Sequence, residues 1–503
     1  MKKYEELKEE ALCKRRRVIF DNDGGDVAIQ CTKATPEELL EKRTTKLIRN
    51  GVDTLIYVTR SSGFGQFTHN TKNGQLFTVV EDRYCNNIAH KLIENGKDCL
   101  QIILEYCHDN ELEVFWGMRM NDTHDAAKEP GPKACFYNNK IKSQHPERLL
   151  INRTKKQKYG AWSAVDYALE DIREYAYKFV EEICENYDID GVELDFFRHP
   201  VFFASVADGE AASSDECRQM TELLIRIKEM IIKKSVQRQR AILFAVKVPD
   251  SLGYCKKIGL DLKTWLERGL IDILITGGYF KLNDHDYSVK LAKKYNVKYV
   301  ASLDENRIAD PDARVDRDSL KCYRGRAQNA FYAGASGVFL FNYNGIDLKQ
   351  FSASNANLTK ELAEEKTLER LNKDYFVSIR GMGRAAGGNT PYDEYMNMPV
   401  LNPALAVTLD CGEIYETYII IGEDIKKNDG KAKLCVRMQG DISVFKITVN
   451  GFDVFYEGKV DLYHIFQIDV DFLNVGRNDI KIICSLSKGI VEDIKISVFY
   501  DSL

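Results

Sequence analysis

The chain has 503 residues, of which 44% are hydrophobic and 29% charged, so it can bury a large core and should form more than one domain. The formal net charge is -5 and the basic residues are scattered, which argues against nucleic-acid and anionic-membrane partners. No apolar run is long enough to cross a membrane, and the N-terminal segment has no apolar signal core. The 13 cysteines show no paired spacing. We therefore expect a cytoplasmic protein with reduced thiols.

The predicted elements begin with a helical extension over residues 1–13. From residue 14 to residue 365, short apolar runs alternate with helical patterns, which is typical of a parallel sheet covered by helices. The eight predicted strands are Arg17 to Phe20, Thr54 to Thr59, Glu113 to Met118, Gly191 to Leu194, Ala241 to Val246, Ile271 to Ile275, Lys298 to Ser302 and Gly337 to Phe341. The predicted helices are Pro36 to Asn50, Tyr84 to Asn95, Leu169 to Asn186, Cys217 to Lys234, Leu260 to Arg268, His285 to Tyr295 and Asp318 to Gly334. This α/β pattern favours a (β/α)8 TIM barrel over an open sheet.

The character of the sequence changes after residue 365, where helical periodicity stops. Residues 366–398 are predicted to be a linker or a loop returning to the barrel. Residues 399–503 contain short alternating strands, which indicate an all-β accessory domain, a sandwich of jelly-roll-like form. The clearest of these strands are Tyr418 to Ile421, Lys433 to Met438, Phe445 to Val449 and Asp479 to Cys484.

Polar side chains follow almost every predicted strand of the barrel. In TIM barrels the active site lies at the C-terminal ends of the strands, so these side chains are the candidates for substrate contact. Sugar recognition uses many side-chain hydrogen bonds, which these residue types can provide. The predicted substrate-binding residues are Asp23, Arg60, Arg119, Asn121, Asp122, His124, Arg198, His199, Tyr279 and Asn342.

The most specific segment surrounds the fourth predicted strand, with the sequence DGVELDFFRHP at residues 190–200. Side chains alternate along a strand, so Glu193 and Asp195 face one side while Val192 and Leu194 face the other. Two carboxyl groups close together raise each other's proton affinity, which is a common way to keep one of them protonated as an acid. Catalysis by Asp195 and Glu193 is the functional interpretation, and a salt bridge to Arg198 is the structural one.

This segment resembles the strand-four signature of family-10-like glycoside hydrolase barrels, a group distantly similar to α-amylase-type barrels. The segments RRVIFDNDGGDV and WGMRMNDTHDA extend the resemblance, which spans most of residues 14–345. The resemblance implies a glycoside hydrolase in which Asp195 occupies the position of the α-amylase-type nucleophile. The chain departs from that pattern because Glu193 stands where amylases carry an arginine.

Glycoside cleavage requires a second carboxyl group, about 5 Å away in retaining enzymes and about 6.5 to 9.5 Å away in inverting ones. Glu305, after the seventh predicted strand, is the preferred partner, because classical family-10 enzymes carry a catalytic carboxylate in that region. A helix cap or an ion pair with Arg307 is the structural alternative for Glu305. Asp122 and Asp250 are the reserve candidates.

Two other functions remain open from the sequence. One is a metal-assisted lyase or isomerase of the same fold, using Glu193, Asp122 and His124 around a divalent ion. The other is a catalytically silent carbohydrate-binding barrel. The sequence has no zinc-binding motif, so we expect no metal and no other cofactor. A carbohydrate is the expected partner, and homo-oligomerisation is left open.

Overall fold

The computed structural model describes residues 2–59, 63–126, 136–278, 280–303, 307–343, 357–380, 392–486 and 488–500. Eight parallel strands form a closed barrel in which each strand pairs with its chain neighbours and the last pairs with the first. The strands are β1 Val18–Asn22, β2 Thr54–Val58, β3 Glu113–Arg119, β4 Gly191–Asp195, β5 Leu243–Val248, β6 Ile273–Thr276, β7 Lys298–Ser302 and β8 Gly337–Phe341. All eight predicted strands are therefore present, and the predicted TIM barrel is confirmed.

Helices surround the barrel and close its N-terminal end. Some begin at clear capping residues: Thr35 accepts from the amide of Glu38, and Ser213 forms a capping box with Glu216. The helices are α1 Lys2–Cys13, α2 Pro36–Lys42, α3 Ala89–Glu94, α4 Cys99–Asp109, α5 Lys140–Ser143, α6 Glu170–Asn186, α7 Ala204–Ala207, α8 Ser214–Arg238, α9 Leu252–Lys257, α10 Leu262–Glu267, α11 His285–Lys294, α12 Pro311–Arg317, α13 Leu320–Ala333, α14 Leu358–Ala363, α15 Glu365–Glu369 and α16 Tyr392–Tyr395. None of the helices in the described residues is both long enough and apolar enough to span a membrane.

Alternation along the strands separates two apolar clusters. Residues such as Val192 and Leu194 pack outward against the helices. The inner cluster fills the barrel with the side chains of Ile19, Ile56, Phe115, Leu243, Ala245, Ile273, Ile275, Val300 and Phe339. Helix α1 packs Leu7, Ala11 and Leu12 against this inner cluster, so the N-terminal helix plugs one end of the barrel. The polar side chains of the candidate site lie at the opposite, C-terminal end of the barrel.

The C-terminal region forms two antiparallel sheets that share one apolar core. Its strands are β9 Lys373–Phe376, β10 Val407–Leu409, β11 Ile414–Ile421, β12 Lys431–Gln439, β13 Phe445–Val449, β14 Phe452–Asp453, β15 Phe455–Val460, β16 Tyr463–Ile468, β17 Gly476–Cys484 and β18 Gly489–Phe499. One sheet has the order β9-β18-β12-β16-β15, with β10 also paired to β18, and the other has the order β11-β17-β13-β14. The predicted β-sandwich is confirmed.

The barrel and the sandwich are joined through β9, which lies inside the segment predicted to be a linker. Helix α13 packs closely on this strand at Gly325, where an added Cβ would lie 2.5 Å from the carbonyl oxygen of Asp374. A buried ion pair between Arg317 of α12 and Asp493 of β18 crosses the same interface. Part of the predicted linker is thus a strand of the sandwich.

Candidate active site

Three charged side chains stand side by side at the C-terminal end of the barrel. Arg119 of β3 pairs in register with Asp195 of β4, which pairs in register with Lys247 of β5. Strand alternation directs all three toward the barrel axis. The row places the Asp195 carboxylate between two cations, one on each neighbouring strand.

Asp195 is held rigidly by the chain that follows it. Its Oδ1 accepts hydrogen bonds from the backbone amides of Phe197 at 2.8 Å and Arg198 at 2.9 Å. Within the described part of the chain no group donates a hydrogen bond to Oδ2, and Asp195 remains 9% exposed. The turn therefore orients the carboxylate while one of its oxygens remains for other contacts.

Glu193 lies one layer deeper in the barrel, between Gly117 of β3 and Ala245 of β5. The side chain is only 1% exposed, and its Oε1 has no hydrogen-bond partner among the described residues. Burial raises the pKa of Glu193 well above its usual value, and Asp195 and Asp21 add to the effect. Burial therefore favours the uncharged form of the Glu193 carboxyl group.

Gly117 creates the space for Glu193. A Cβ at this position would lie 2.8 Å from a methyl carbon of Val58, 2.9 Å from one of Ile56 and 3.3 Å from Oε2 of Glu193. Because the first two distances are shorter than real contacts allow, a larger residue would force β2 or Glu193 to move.

Asp21 is a third inward carboxyl group, at the end of β1. Burial raises its pKa to about 7, with Asp195 and Asp23 adding to the rise and Lys247 and Arg119 opposing it. Asp21 and Asp195 both point into the barrel, close enough for the charge of Asp195 to raise the pKa of Asp21. The predicted site did not include Asp21; the signal was available, because Asp21 follows the inward Ile19 by two positions.

Asp23 and Asn342 are joined by an arginine that the sequence analysis did not identify. Oδ1 of Asn342 accepts from the backbone amide of Asp23 at 3.1 Å and from Nη1 of Arg43 at 2.7 Å. The same Nη1 donates to Oδ1 of Asn22 at 3.0 Å. Arg43 thereby ties the end of β1 to the end of β8.

The loop after β3 carries a connected polar chain from Asp122 through His124 to Arg198. His124 Nδ1 bonds to Asp122 Oδ1, and Arg198 Nη2 lies 2.9 Å from His124 Nε2. Because a guanidinium group can only donate, Nε2 is the acceptor in this contact, which leaves Nδ1 to face Asp122. Burial raises the pKa of Asp122, but the charge and hydrogen bond of His124 and the charge of Arg119 outweigh it and hold this pKa well below its usual range.

His199 completes this group from the loop after β4. Its Nδ1 accepts from the backbone amide of Thr123 at 3.2 Å, and burial lowers the pKa of the imidazole well below its usual value. The ligand atoms of Asp122, His124 and His199 lie within 4.8 Å of one another, which is compatible with a metal ion. However, both nitrogens of His124 and Nδ1 of His199 are already hydrogen-bonded, so an ion would have to displace protein donors.

Two other candidate residues, Asn121 and Asp250, form hydrogen bonds to the backbone of loops. The amide of Asn121 bonds to the backbone of Val165 and Val201, which uses both its donor and its acceptor groups. The carboxylate of Asp250 accepts from the amides of Leu282 and Asn283. We assign both side chains to loop structure. Glu305, Arg60 and Tyr279 lie outside the residues that the structure describes.

No protein-family model and no curated protein matches this chain. Among solved structures, an α-L-fucosidase isoenzyme 2 from Paenibacillus thiaminolyticus is 12% identical over 69% of this chain, with a TM-score of 0.43. The match covers 49% of the fucosidase, so this chain spans about half of that protein's length. A family 18 N-acetylglucosaminidase from Paenibacillus barengoltzii is 14% identical over 69% of this chain and 99% of its own, with a TM-score of 0.39. An Anoxybacillus α-amylase is 12% identical over 97% and 99%, with a TM-score of 0.39. Likeness this distant does not transfer an activity.

Proposed function

We propose that this protein is an O-glycoside hydrolase that cleaves an oligosaccharide or glycoconjugate at the C-terminal mouth of the barrel. The observation that carries the proposal is the pair of Asp195 and Asp21, which both point into the barrel and lie in different electrostatic environments. Asp195 lies between two cations and accepts two amide bonds, whereas burial raises the pKa of Asp21 to about 7. Glycosidases need such a pair, with one carboxylate ionised and one protonated.

In this proposal the two carboxyl groups have different catalytic roles. Asp21 donates its proton to the glycosidic oxygen as the bond to the anomeric carbon breaks. Asp195 either attacks that carbon to form a glycosyl ester, or removes a proton from the water that attacks it. Glu305 remains the alternative second carboxyl group that the sequence predicted.

The surrounding groups supply the proposed sugar contacts. Arg119, Arg198, His199 and Asp23 offer donors and acceptors around the mouth, while Asn342 positions Asp23 through its backbone. Phe341 adds an apolar face, with Arg119 at 5.7 Å and Lys247 Nζ at 5.5 Å from its ring centroid. Glu193 is enclosed one layer deeper in the barrel, and its raised pKa favours the uncharged form, which limits the negative charge of the cluster.

Activity should fall as the pH rises through about 7. Asp21 must carry a proton to act as the acid; because its pKa is raised to about 7, the proton is present below this pH and lost above it. The measurement is kcat/KM as a function of pH for the wild type and for Asp21→Asn. The variant should have low activity and no alkaline limb near this pH. A wild-type profile that is flat across neutral pH would contradict the role of Asp21.

The function is tested by incubating the protein with aryl glycosides and natural oligosaccharides, with and without a chelator. The proposal expects chelator-insensitive release of aglycone or reducing sugar. Activity that disappears on chelation would favour the metal-assisted alternative, for which the cluster of Asp122, His124 and His199 is the supporting observation. Sugar that binds tightly and is recovered intact would support a silent carbohydrate-binding barrel. No binding and no turnover would end the carbohydrate hypothesis.

A further inference from the structure

A cavity of about 460 Å³ lies beside the barrel mouth, between the barrel and the sandwich. Its described walls come from the ends of β6 and β7, from α11 and α13, and from the β9 and β11 regions. Sites for small molecules commonly have volumes of about 300 to 1,000 Å³. Within the described residues, none of Asp21, Glu193 and Asp195 lines this cavity, so it does not include the carboxyl groups of the candidate site.

Ser302, at the end of β7, joins the cavity to the barrel mouth. Val300, two residues earlier, belongs to the inner cluster, so strand alternation points Ser302 into the barrel as well. Ser302 pairs in register with Phe339 of β8, and Lys247 Nζ lies 4.2 Å from the centroid of the Phe339 ring. Ser302 also lines the cavity, and its buried Oγ has no hydrogen-bond partner among the described residues. The cavity therefore reaches the mouth next to the charged row.

The charged side chains in the described wall balance one another. The cations are Lys281, Arg326, Arg380 and Arg477. The carboxylates are Asp250, Asp284, Asp286 and Asp374. Several of these groups are bonded within the protein: Arg477 donates to Asp479 at 2.7 Å, and Asp284 accepts from the hydroxyl of Tyr418 at 2.7 Å. Because each sign of charge is countered within the wall, the cavity fits a neutral occupant.

Much of the remaining wall is apolar. Phe280 and Leu303 are buried, and Ala333, Met396 and Val400 add aliphatic surface from other segments. Aromatic side chains also contribute, and such rings pack well against another planar ring by stacking or by edge contacts. An enclosed apolar wall favours a ligand whose body is apolar, since its surface is removed from water on binding.

We infer that this cavity binds the aglycone of the substrate, and that the aglycone is neutral and largely apolar, with an aromatic ring. The inference rests on the proposed function, because it places the sugar at the barrel mouth and the group attached to the sugar beyond Ser302. The free Oγ of Ser302 lies at the junction, where it can donate to an oxygen of the substrate. The substrate class is an aryl glycoside or a similar glycoconjugate, not a chain of sugars alone.

The first test measures binding of 2-naphthol, a neutral aromatic alcohol, to the full chain by calorimetric titration at several temperatures. The wild type should bind 2-naphthol with a negative heat-capacity change, because apolar surface is buried. Val400→Trp fills the cavity from a segment outside the helices and strands, and should weaken binding by about ten-fold or more. The matched control is Val315→Trp on α12, where the side chain is 71% exposed and does not line the cavity. This control should bind 2-naphthol as the wild type does.

Kinetics then shows whether the bound ring is the aglycone. For the sugar that the wild type cleaves, KM should be lower for the 2-naphthyl glycoside than for the methyl glycoside by about ten-fold or more. Val400→Trp should remove this difference and still cleave the methyl glycoside as the wild type does, which shows that the variant is folded.

The aglycone site and the proposed function can fail separately. If the methyl glycoside is cleaved but the wild type does not bind 2-naphthol, or binds it no more tightly than Val400→Trp, the aglycone site is wrong and the hydrolase proposal stands. Binding of 2-naphthol without cleavage of any glycoside would overturn the aglycone role together with the proposed function.

Discussion

Replacing Asp195 with asparagine should lower kcat by about 10³-fold or more on whichever glycoside the protein cleaves. Asparagine keeps the shape of the side chain, and its Oδ1 can still accept from the amides of Phe197 and Arg198. The substitution therefore removes the charge and the nucleophilic oxygen while the local turn is retained. The measurement is steady-state kinetics, with circular dichroism to show that the variant is folded.

Two matched variants make this result specific. Asp188→Asn makes the same chemical change just before β4, where the side chain is 65% exposed and pairs with surface arginines, so activity should stay within about two-fold of wild type. Glu193→Gln replaces a buried carboxyl group, whose raised pKa favours the uncharged form, with a neutral amide and should cost much less than Asp195→Asn. If Glu193→Gln is as severe as Asp195→Asn, Glu193 itself takes part in the chemistry. If Asp195→Asn retains full activity, the proposed mechanism is wrong.

The barrel could be predicted because its strands are short, apolar and followed by polar residues. The prediction of the helices was less complete. Helix α4 was not predicted, although Cys99 to Asp109 is capped by Asp98 and contains buried residues such as Leu100 and Ile103. The role of α1 as a plug also escaped prediction. Its few apolar positions identify a helix but do not specify which surface they cover.

The candidate site was predictable where it depends on alternation within one strand. Val192 and Leu194 pack outward while Glu193 and Asp195 belong to the inner face, as the spacing indicated. Contacts between distant segments could not be predicted. Arg43 lies in a helical pattern with no motif and reaches Asn342 only because the barrel closes between β1 and β8.

The protonation state of a carboxyl group also depends on how the barrel closes around it. This explains why Asp23 was predicted as a site residue at the end of the first strand and Asp21 was not. The raised pKa of Asp21 comes from burial among groups on β3, β4 and β5. None of these neighbours is near Asp21 in sequence. A single sequence therefore identifies which carboxyl groups point inward, but not which of them holds a proton.

The largest effect on stability is expected at the buried ion pair between the barrel and the sandwich. Arg317 donates to Asp493 through both Nη1 and Nη2 at 2.7 Å, and both side chains are 0% exposed. Arg317→Met would leave the Asp493 carboxylate buried without its cation, at a cost of about 3 to 5 kcal/mol in the free energy of unfolding. Chemical denaturation followed by circular dichroism measures this loss.

The double variant Arg317→Met with Asp493→Leu distinguishes an unpaired charge from damaged packing. Removing both charges eliminates the desolvation cost, so the double variant should recover much of the stability that the single variant loses. The control is Arg218→Met, whose pair with Asp215 is more than half exposed and should contribute less than about 1 kcal/mol. If the double variant is as unstable as Arg317→Met, the loss comes from packing of the arginine on Phe376, which its guanidinium group approaches to 4.2 Å, and the charge argument fails.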